Sequence, residues 1–202
     1  VVSGGHTELI YMKSDYDFNI IGETLDDAVG EAYDKVARVM GLPYPGGPHI
    51  DRMAVDGEDV YKLPRVMIND DTYNFSFSGL KSAVINFIKN TKQRNETIYN
   101  NNLAASFQSS AIDVLVKKTI NAAKEYDVNQ IIVAGGVSAN KGLRKRLQEE
   151  TETIGLELSI PPIKLCTDNA AMIGSAAYYE YMAGKIASLD INAIPNLKLG
   201  ER

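Results

Sequence analysis

The chain has 202 residues, 45% of them hydrophobic and 23% charged, which is too apolar for a disordered polymer and long enough to bury a core without staples. A single cysteine, Cys166, excludes an internal disulfide framework and a multi-cysteine zinc site and suits a reducing, cytoplasmic setting, while two well-separated histidines, His6 and His49, exclude a zinc-protease helix built from these residues. The net charge of −5 means that any nucleic acid must be held by a local patch and not by the overall field.

No apolar run reaches the length of a membrane span and no charged leader precedes one, so the expectation is a protein without membrane contact. The sequence opens on Val1 and Val2, already inside what reads as a strand, and is expected to be a fragment of something longer. Residues 1–22 read as two strands and a turn. Thr24 and Asp27 form a capping-box pattern that opens a predicted helix over residues 24–40, with Leu25, Ala28, Val29, Ala32, Val36, Val39 and Met40 on its apolar stripe. Its opposite face carries Asp27, Gly30, Glu31 and Asp34, with four-residue spacing that pairs Glu31 with Lys35 and Asp34 with Arg38. Gly41 and Pro43 end the helix, and residues 43–48 hold three prolines and two glycines in a stiff loop.

The alternation Tyr73, Phe75, Phe77 reads as a strand. Ser78 or Asn74 opens a predicted helix to about residue 90, residues 91–97 form a loop, and a long helix follows over residues 101–126 with Leu103, Phe107, Ala111, Val114, Leu115 and Ile120 inward. Residues 130–134 are a short apolar run typical of a strand buried on both faces. After Gly135 and Gly136 comes a basic helix, then a strand over residues 156–160 and a helix of small residues from Ala170 to about Met182. Strand, glycine turn, helix, strand, helix is the grammar of an α/β sheet that binds ligands at strand ends.

Two glycine pairs, Gly4 with Gly5 and Gly135 with Gly136, each follow an apolar strand, where glycine lets backbone amides approach a phosphate or simply makes a tight turn. Neither pair belongs to a dinucleotide fingerprint or a P-loop. A mid-helix Gly30 marks a close approach by another group. Asp168 stands just before a helix, as a cap or as an oxygen ligand for a metal. Lys141, Arg144, Lys145 and Arg146 form the densest basic cluster, either a phosphate patch or a solvated helix balanced by Glu149, Glu150 and Glu152.

Six blocks carry a resemblance to a known family: Val-Ser-Gly-Gly-His-Thr-Glu-Leu at residues 2–9, Asp-Asp-Ala-Val-Gly-Glu-Ala-Tyr-Asp-Lys at 26–35, Tyr-Pro-Gly-Gly-Pro at 44–48, Asn-Phe-Ser-Phe-Ser-Gly-Leu-Lys at 74–81, Ala-Gly-Gly-Val-Ser-Ala-Asn at 134–140 and Thr-Asp-Asn-Ala-Ala-Met-Ile at 167–173. Together they resemble the C-terminal portion of the TsaD family, the bacterial tRNA N6-adenosine threonylcarbamoyltransferases once labelled O-sialoglycoprotein endopeptidases. The resemblance implies an α/β lobe of the actin, hexokinase and Hsp70 (ASKHA) type, with ribonuclease-H-like topology and a mixed sheet flanked by helices. It implies a lobe over residues 1–168, with a helical insertion at about 43–128. The final helix and tail, residues 169–202, would pack back toward an N-terminal lobe.

The resemblance also implies the chemistry. Threonylcarbamoyl-AMP is the donor, and the acceptor is N6 of the adenosine 3′ to the anticodon in tRNAs reading codons that begin with A. Val1, Val2, Ser3, Gly4, Gly5, Asp34, Gly47, Asp51 and Asn140 match substrate contacts, with Gly135 and Gly136 as a backbone cradle. Asp168 matches one ligand of a divalent metal, Fe2+ before Zn2+, whose two histidine ligands would lie upstream of Val1. TsaB, TsaE and the adylate-forming enzyme TsaC are implied partners. The fragment alone is expected to be inactive. Alternative readings are an ATPase or kinase of the same fold and a non-catalytic partner-docking lobe. A metalloendopeptidase lacks its glutamate beside two histidines.

Overall fold

The computed structural model describes residues 1–194, 197 and 199; the rest of the predicted tail lies outside the described residues. Two short ladders form the extended part of the fold. An antiparallel hairpin pairs β1, Glu8–Ser14, with β2, Asp17–Glu23, and a parallel pair joins β3, Gln130–Ile132, to β4, Glu157–Ser159. Val1 and Val2 connect them. The Glu8 amide donates to the Val1 carbonyl at 2.9 Å, Val2 bridges Thr7, and on its other edge the Val2 amide donates to Ala134 at 2.8 Å. The lateral order is therefore β2, β1, residues 1 and 2, β3, β4: two small sheets linked through a short segment, where the resemblance implied one mixed sheet flanked by helices.

Among the described residues six α-helices surround it: α1, Val29–Val39; α2, Gly47–Val55; α3, Ser78–Gln93; α4, Asn100–Glu125; α5, Lys141–Ile154; and α6, Ala170–Met182. Helix α4 is the central pillar. All six of its predicted inward residues are buried, and so are Ala104, Ala105, Ser106 and Ser110, so neighbours close on it from several sides. Small residues permit that approach: a Cβ on Gly57 would stand 2.1 Å from the Asn101 carbonyl oxygen. Residues 130–134 are buried on one face only, with Ile131 and Val133 inside and Ile132 57% exposed. No residue of α6 is buried, although Tyr16 in the β1–β2 turn donates its hydroxyl to the Ala176 carbonyl at 3.1 Å. Among the described residues no helix is long and apolar enough to cross a membrane.

Local capping is where the sequence reading fails. The Thr24–Asp27 box does not form, because α1 starts five residues after Thr24, and the Thr24 hydroxyl donates to the Asp27 carbonyl at 2.8 Å. The first amides of α1 find distant acceptors instead: Val29 donates to the Thr7 hydroxyl at 2.8 Å and Gly30 to the Ser3 carbonyl at 3.2 Å. Helix α3 is capped neither by Ser78 nor by Asn74, whose side chain accepts from the Glu23 amide. Its cap is Asp26, which accepts from the Phe77 amide at 2.8 Å, the Ser78 amide at 3.1 Å and the Ser76 hydroxyl at 2.5 Å. The Tyr73–Phe77 alternation is not a strand: Phe75 makes one isolated bridge to Thr24, and Phe75 and Phe77 are both buried. Before α6 the cap is Asn169, accepting from the Met172 amide at 3.0 Å, and not Asp168.

Neighbouring Asp27 faces two cations, Lys35 and Lys81, each at 2.8 Å. Burial works to raise the pKa of both carboxyls, but the donors around Asp26 and the two lysines around Asp27 outweigh it and pull both below the usual range. A carboxyl depressed in the folded state contributes stability above its unfolded pKa and loses it as pH falls through the folded value. Asp26→Ala should cost about 1–2 kcal/mol at neutral pH, as for other lost caps. In urea denaturation the deficit should shrink as the pH falls below about 4, the ordinary carboxyl value of the unfolded chain, toward the lower value of the folded carboxyl.

Candidate functional site

Residues 3–6 form a turn closed by one side chain. The Ser3 hydroxyl oxygen accepts from the Gly5 amide at 3.3 Å and the His6 amide at 2.9 Å, and a Cβ added to Gly4 or Gly5 would meet nothing within 4 Å. Gly30 lies in the first turn of α1 and not mid-helix; a Cβ there would stand 2.5 Å from the Ser3 carbonyl oxygen, so glycine lets the helix start abut the turn.

The second glycine pair arrives at the same place. Gly135 has φ of +101°, and a Cβ on it would lie 2.3 Å from the Val2 carbonyl oxygen, which accepts from the Val137 amide at 3.0 Å. Next to it, a Cβ on Gly136 would make ordinary contact with Thr167 at 3.8 Å. The two glycine turns and the segment leading to Asp168, separate in the sequence, thus meet around Val2.

One helical turn beyond Gly30, Asp34 accepts from the Gly46 amide at 2.7 Å, which seats residues 43–48 against α1. The predicted Asp34–Arg38 pair is absent among the described residues, whereas Glu31 and Lys35 pair at 2.7 Å. Gly47 opens α2, which carries Asp51 to the start of α5; its carboxylate accepts from the Lys141 amide at 3.1 Å, the Gly142 amide at 3.4 Å and the Gln108 amide at 3.2 Å. Asn140 caps α5 by accepting from the Leu143 amide at 2.8 Å and donates to Gln108 at 2.7 Å. Tyr33 donates its hydroxyl to the same Gln108 oxygen at 3.3 Å; burial, reinforced by the charge of Asp51, pushes its pKa up and keeps it protonated.

The basic cluster does not present four free charges. Arg144 turns inward, donating to the Ser138 carbonyl at 2.6 Å, the Pro161 carbonyl at 2.5 Å and the Cys166 sulfur at 3.1 Å. Lys145 pairs with Glu149 at 3.9 Å and Arg146 with Glu150 at 3.2 Å, which leaves Lys141 and favours the balanced-helix reading. Asp168 is exposed, and since Asn169 takes the cap its carboxylate keeps its oxygens for other partners. Among the described residues no three His, Cys, Asp or Glu side chains cluster as a metal centre, so Asp168 fits as a single oxygen donor and no more.

Sequence reasoning missed Gln108, Tyr33 and the inward role of Arg144. Gln108 carried a usable signal, a long polar amide set beside the inward Phe107 of a buried helix. Ser138, also missed, holds a buried hydroxyl without a hydrogen-bond partner among the described residues.

A family model described as TsaD, tRNA N6-adenosine threonylcarbamoyltransferase, matches residues 1–175. The chain belongs to the TsaD family. It is 60% identical over 201 residues to the tRNA N6-adenosine threonylcarbamoyltransferase of Staphylococcus haemolyticus, covering 100% of this chain and 59% of that protein. The relatives of the same name from Halalkalibacterium halodurans and Geobacillus thermodenitrificans are also 60% identical, each match covering 98% of this chain and 58% of the relative. This TsaD-family chain therefore spans less than two thirds of the relatives it matches. Among solved structures, HypF from T. kodakarensis superimposes with a TM-score of 0.55 at 17% identity, over 85% of this chain and 21% of that one, a likeness of fold alone.

Within this TsaD-family chain the glycines of the site differ in what they tolerate. Gly135→Ala combines a left-handed backbone with a backbone clash and should cost roughly 3 kcal/mol or more, whereas Gly5→Ala should change stability by less than about 0.5 kcal/mol. Chemical denaturation of the two variants beside the wild type checks both values.

Proposed function

We propose that this chain is the C-terminal portion of an acyltransferase that moves the threonylcarbamoyl group from threonylcarbamoyl-AMP to N6 of the adenosine 3′ to the anticodon in tRNAs reading codons that begin with A. The observation that carries the reading is the meeting of the Ser3–Gly5 turn, the Gly135 turn and the Asp168 segment around Val2. Family membership over residues 1–175 supplies the reaction. In this reading the fold is a lobe of the actin, hexokinase and Hsp70 type, which the likeness to HypF supports at the level of fold.

The adenosine amine attacks the carbamoyl carbon, a C–N bond forms, the bond from that carbon to the phosphate oxygen breaks, and the electron pair leaves with AMP while the amine proton passes to solvent. The residues of this chain bind and orient. Backbone amides at Gly4 and Gly136 meet the phosphate, where glycine allows close approach, while the Gly5 amide is held by the Ser3 hydroxyl and shapes the turn. Asp34 bonds Gly46 through one oxygen and offers the other to a ribose hydroxyl. Asp51 accepts three hydrogen bonds of the roughly four a carboxylate can take, so one site stays open beside Gly47. Asn140 is buried and bonded through both its oxygen and its nitrogen, and acts by holding the turn that faces the adenosine.

Asp168 would supply one oxygen to a divalent metal, Fe2+ or Zn2+, whose histidine ligands would come from the additional length that the relatives carry. When bound, such an ion supplies Lewis-acid polarisation of the donor carbonyl or orientation of its phosphate. Helix α6 exposes Ile173, Tyr178, Tyr179, Tyr181 and Met182, apolar surface suited to packing against the additional length that the relatives carry. TsaB, TsaE and TsaC are the partners of this reading, and the cytoplasm its compartment.

The test is tRNA-dependent AMP release from threonylcarbamoyl-AMP by the intact gene product. Release is expected there and absent from residues 1–202 alone; an intact product that releases no AMP with tRNA overturns the reading. Asp168→Asn should lower metal content by elemental analysis together with AMP release, leaving the thermal midpoint within about 3 °C because the carboxylate is exposed.

A further inference from the structure

Gln108 hydrogen-bonds both Asp51 and Asn140, and its amide is oriented by a chain of bonds that starts from a backbone group. The Leu143 N–H can only donate, so the Asn140 atom facing it is the oxygen and the atom facing Gln108 is the NH2 group. Gln108 must then present its own oxygen to Asn140 and Tyr33, which turns its NH2 toward the Asp51 carboxylate at 3.2 Å. A glutamate of the same length offers an acceptor on one side and an uncharged donor on the other only when it is protonated.

We infer that Gln108 is the positioning residue that sets Asp51 and Asn140 in register within the nucleotide site, an inference that rests on the reading of that site given above. Gln108 comes from α4, Asp51 from α2, Asn140 from the start of α5 and Tyr33 from α1, so one buried amide ties four helices to the site. The fit leaves no slack: a Cβ on Gly142 would stand 2.7 Å from the Gln108 nitrogen. Removing the amide strands the Asn140 NH2 in a buried position and takes from Asp51 its side-chain donor. The Asp51 carboxylate is then free to swing from the α5 amides, and the turn over residues 135–140 loses its anchor.

Replacement by glutamate turns the donor into a charge. The titratable and charged groups facing this position are Asp51 from α2 and Tyr33 from α1, while α5 presents only Asn140 and the backbone of Lys141 and Gly142. Burial and the Asp51 charge both raise the pKa of a glutamate there, so falling pH returns an O–H donor to Asp51.

The experiment is calorimetric titration of the intact gene product with AMP, comparing wild type, Gln108→Glu and Gln108→Met at about pH 8 and about pH 5.5, with thermal unfolding followed for each. Both variants should bind AMP about tenfold more weakly or worse at the higher pH, with Gln108→Glu recovering toward wild type at the lower pH and Gln108→Met not. With threonylcarbamoyl-AMP the KM should rise by more than kcat falls. Wild-type affinity in both variants, or a Gln108→Glu deficit that ignores pH, overturns the inference. Should Gln108→Met fail to fold, the pH comparison within Gln108→Glu decides alone. A wild type that binds no AMP overturns the nucleotide reading of the site itself, a result distinct from failure of the Gln108 assignment.

Discussion

The structure hangs on the two edges of one short segment, residues 1–3. Val1 and Ser3 hydrogen-bond Glu8 and His6 on the hairpin side, while the amide and carbonyl of Val2, which lies opposite Thr7, bond Ala134 and Val137 on the β3 side, so three residues of chain join two ladders that are each too small to stand alone. The Val2 carbonyl also forbids a side chain at position 135. The glycine there is needed twice, for its left-handed backbone and for the space, and the turn it makes lies against Val2 and Ser3 on one side and, through Gly136, beside Thr167. Everything assigned to the nucleotide site stands on this junction.

How much of this the sequence reveals depends on the range of the interaction involved. Helix α4 and its six inward residues are legible because 3.6-residue periodicity over many turns is a strong, local signal. The glycine turns are legible as turns, but their convergence is not, since nothing local says that Val2 and Gly135 are neighbours. The capping errors share one cause. Thr24 with Asp27, Ser78 and Asp168 were all plausible local caps, and at each position a tertiary partner or the adjacent residue serves instead. The basic patch misleads for a similar reason, because composition counts Arg144 as a surface charge while the fold directs its guanidinium at two carbonyls and a thiol.

Within the site the division of labour is between backbone and side chain. Gly4 and Asp168 face outward and lightly bonded, whereas Asp51 and Asn140 are engaged by the protein itself. In the proposed reading the first group meets ligand directly and the second holds the frame, which explains why polar residues recur so deep among apolar helices. The buried Tyr33–Gln108–Asn140 arrangement costs desolvation and returns it as fixed geometry.

The adjacent carboxylates Asp26 and Asp27 bear on how the chain reaches its fold. Helix α3 has its cap some fifty residues upstream, so its first amides have no partner until the corner between β2 and α1 has docked. Its final ordering is a long-range event: a helix by geometry, it closes with the kinetics of a non-local contact. Lys81, on the same helix, pairs with Asp27 at 2.8 Å, so two adjacent carboxylates of one corner hold the first turn of α3.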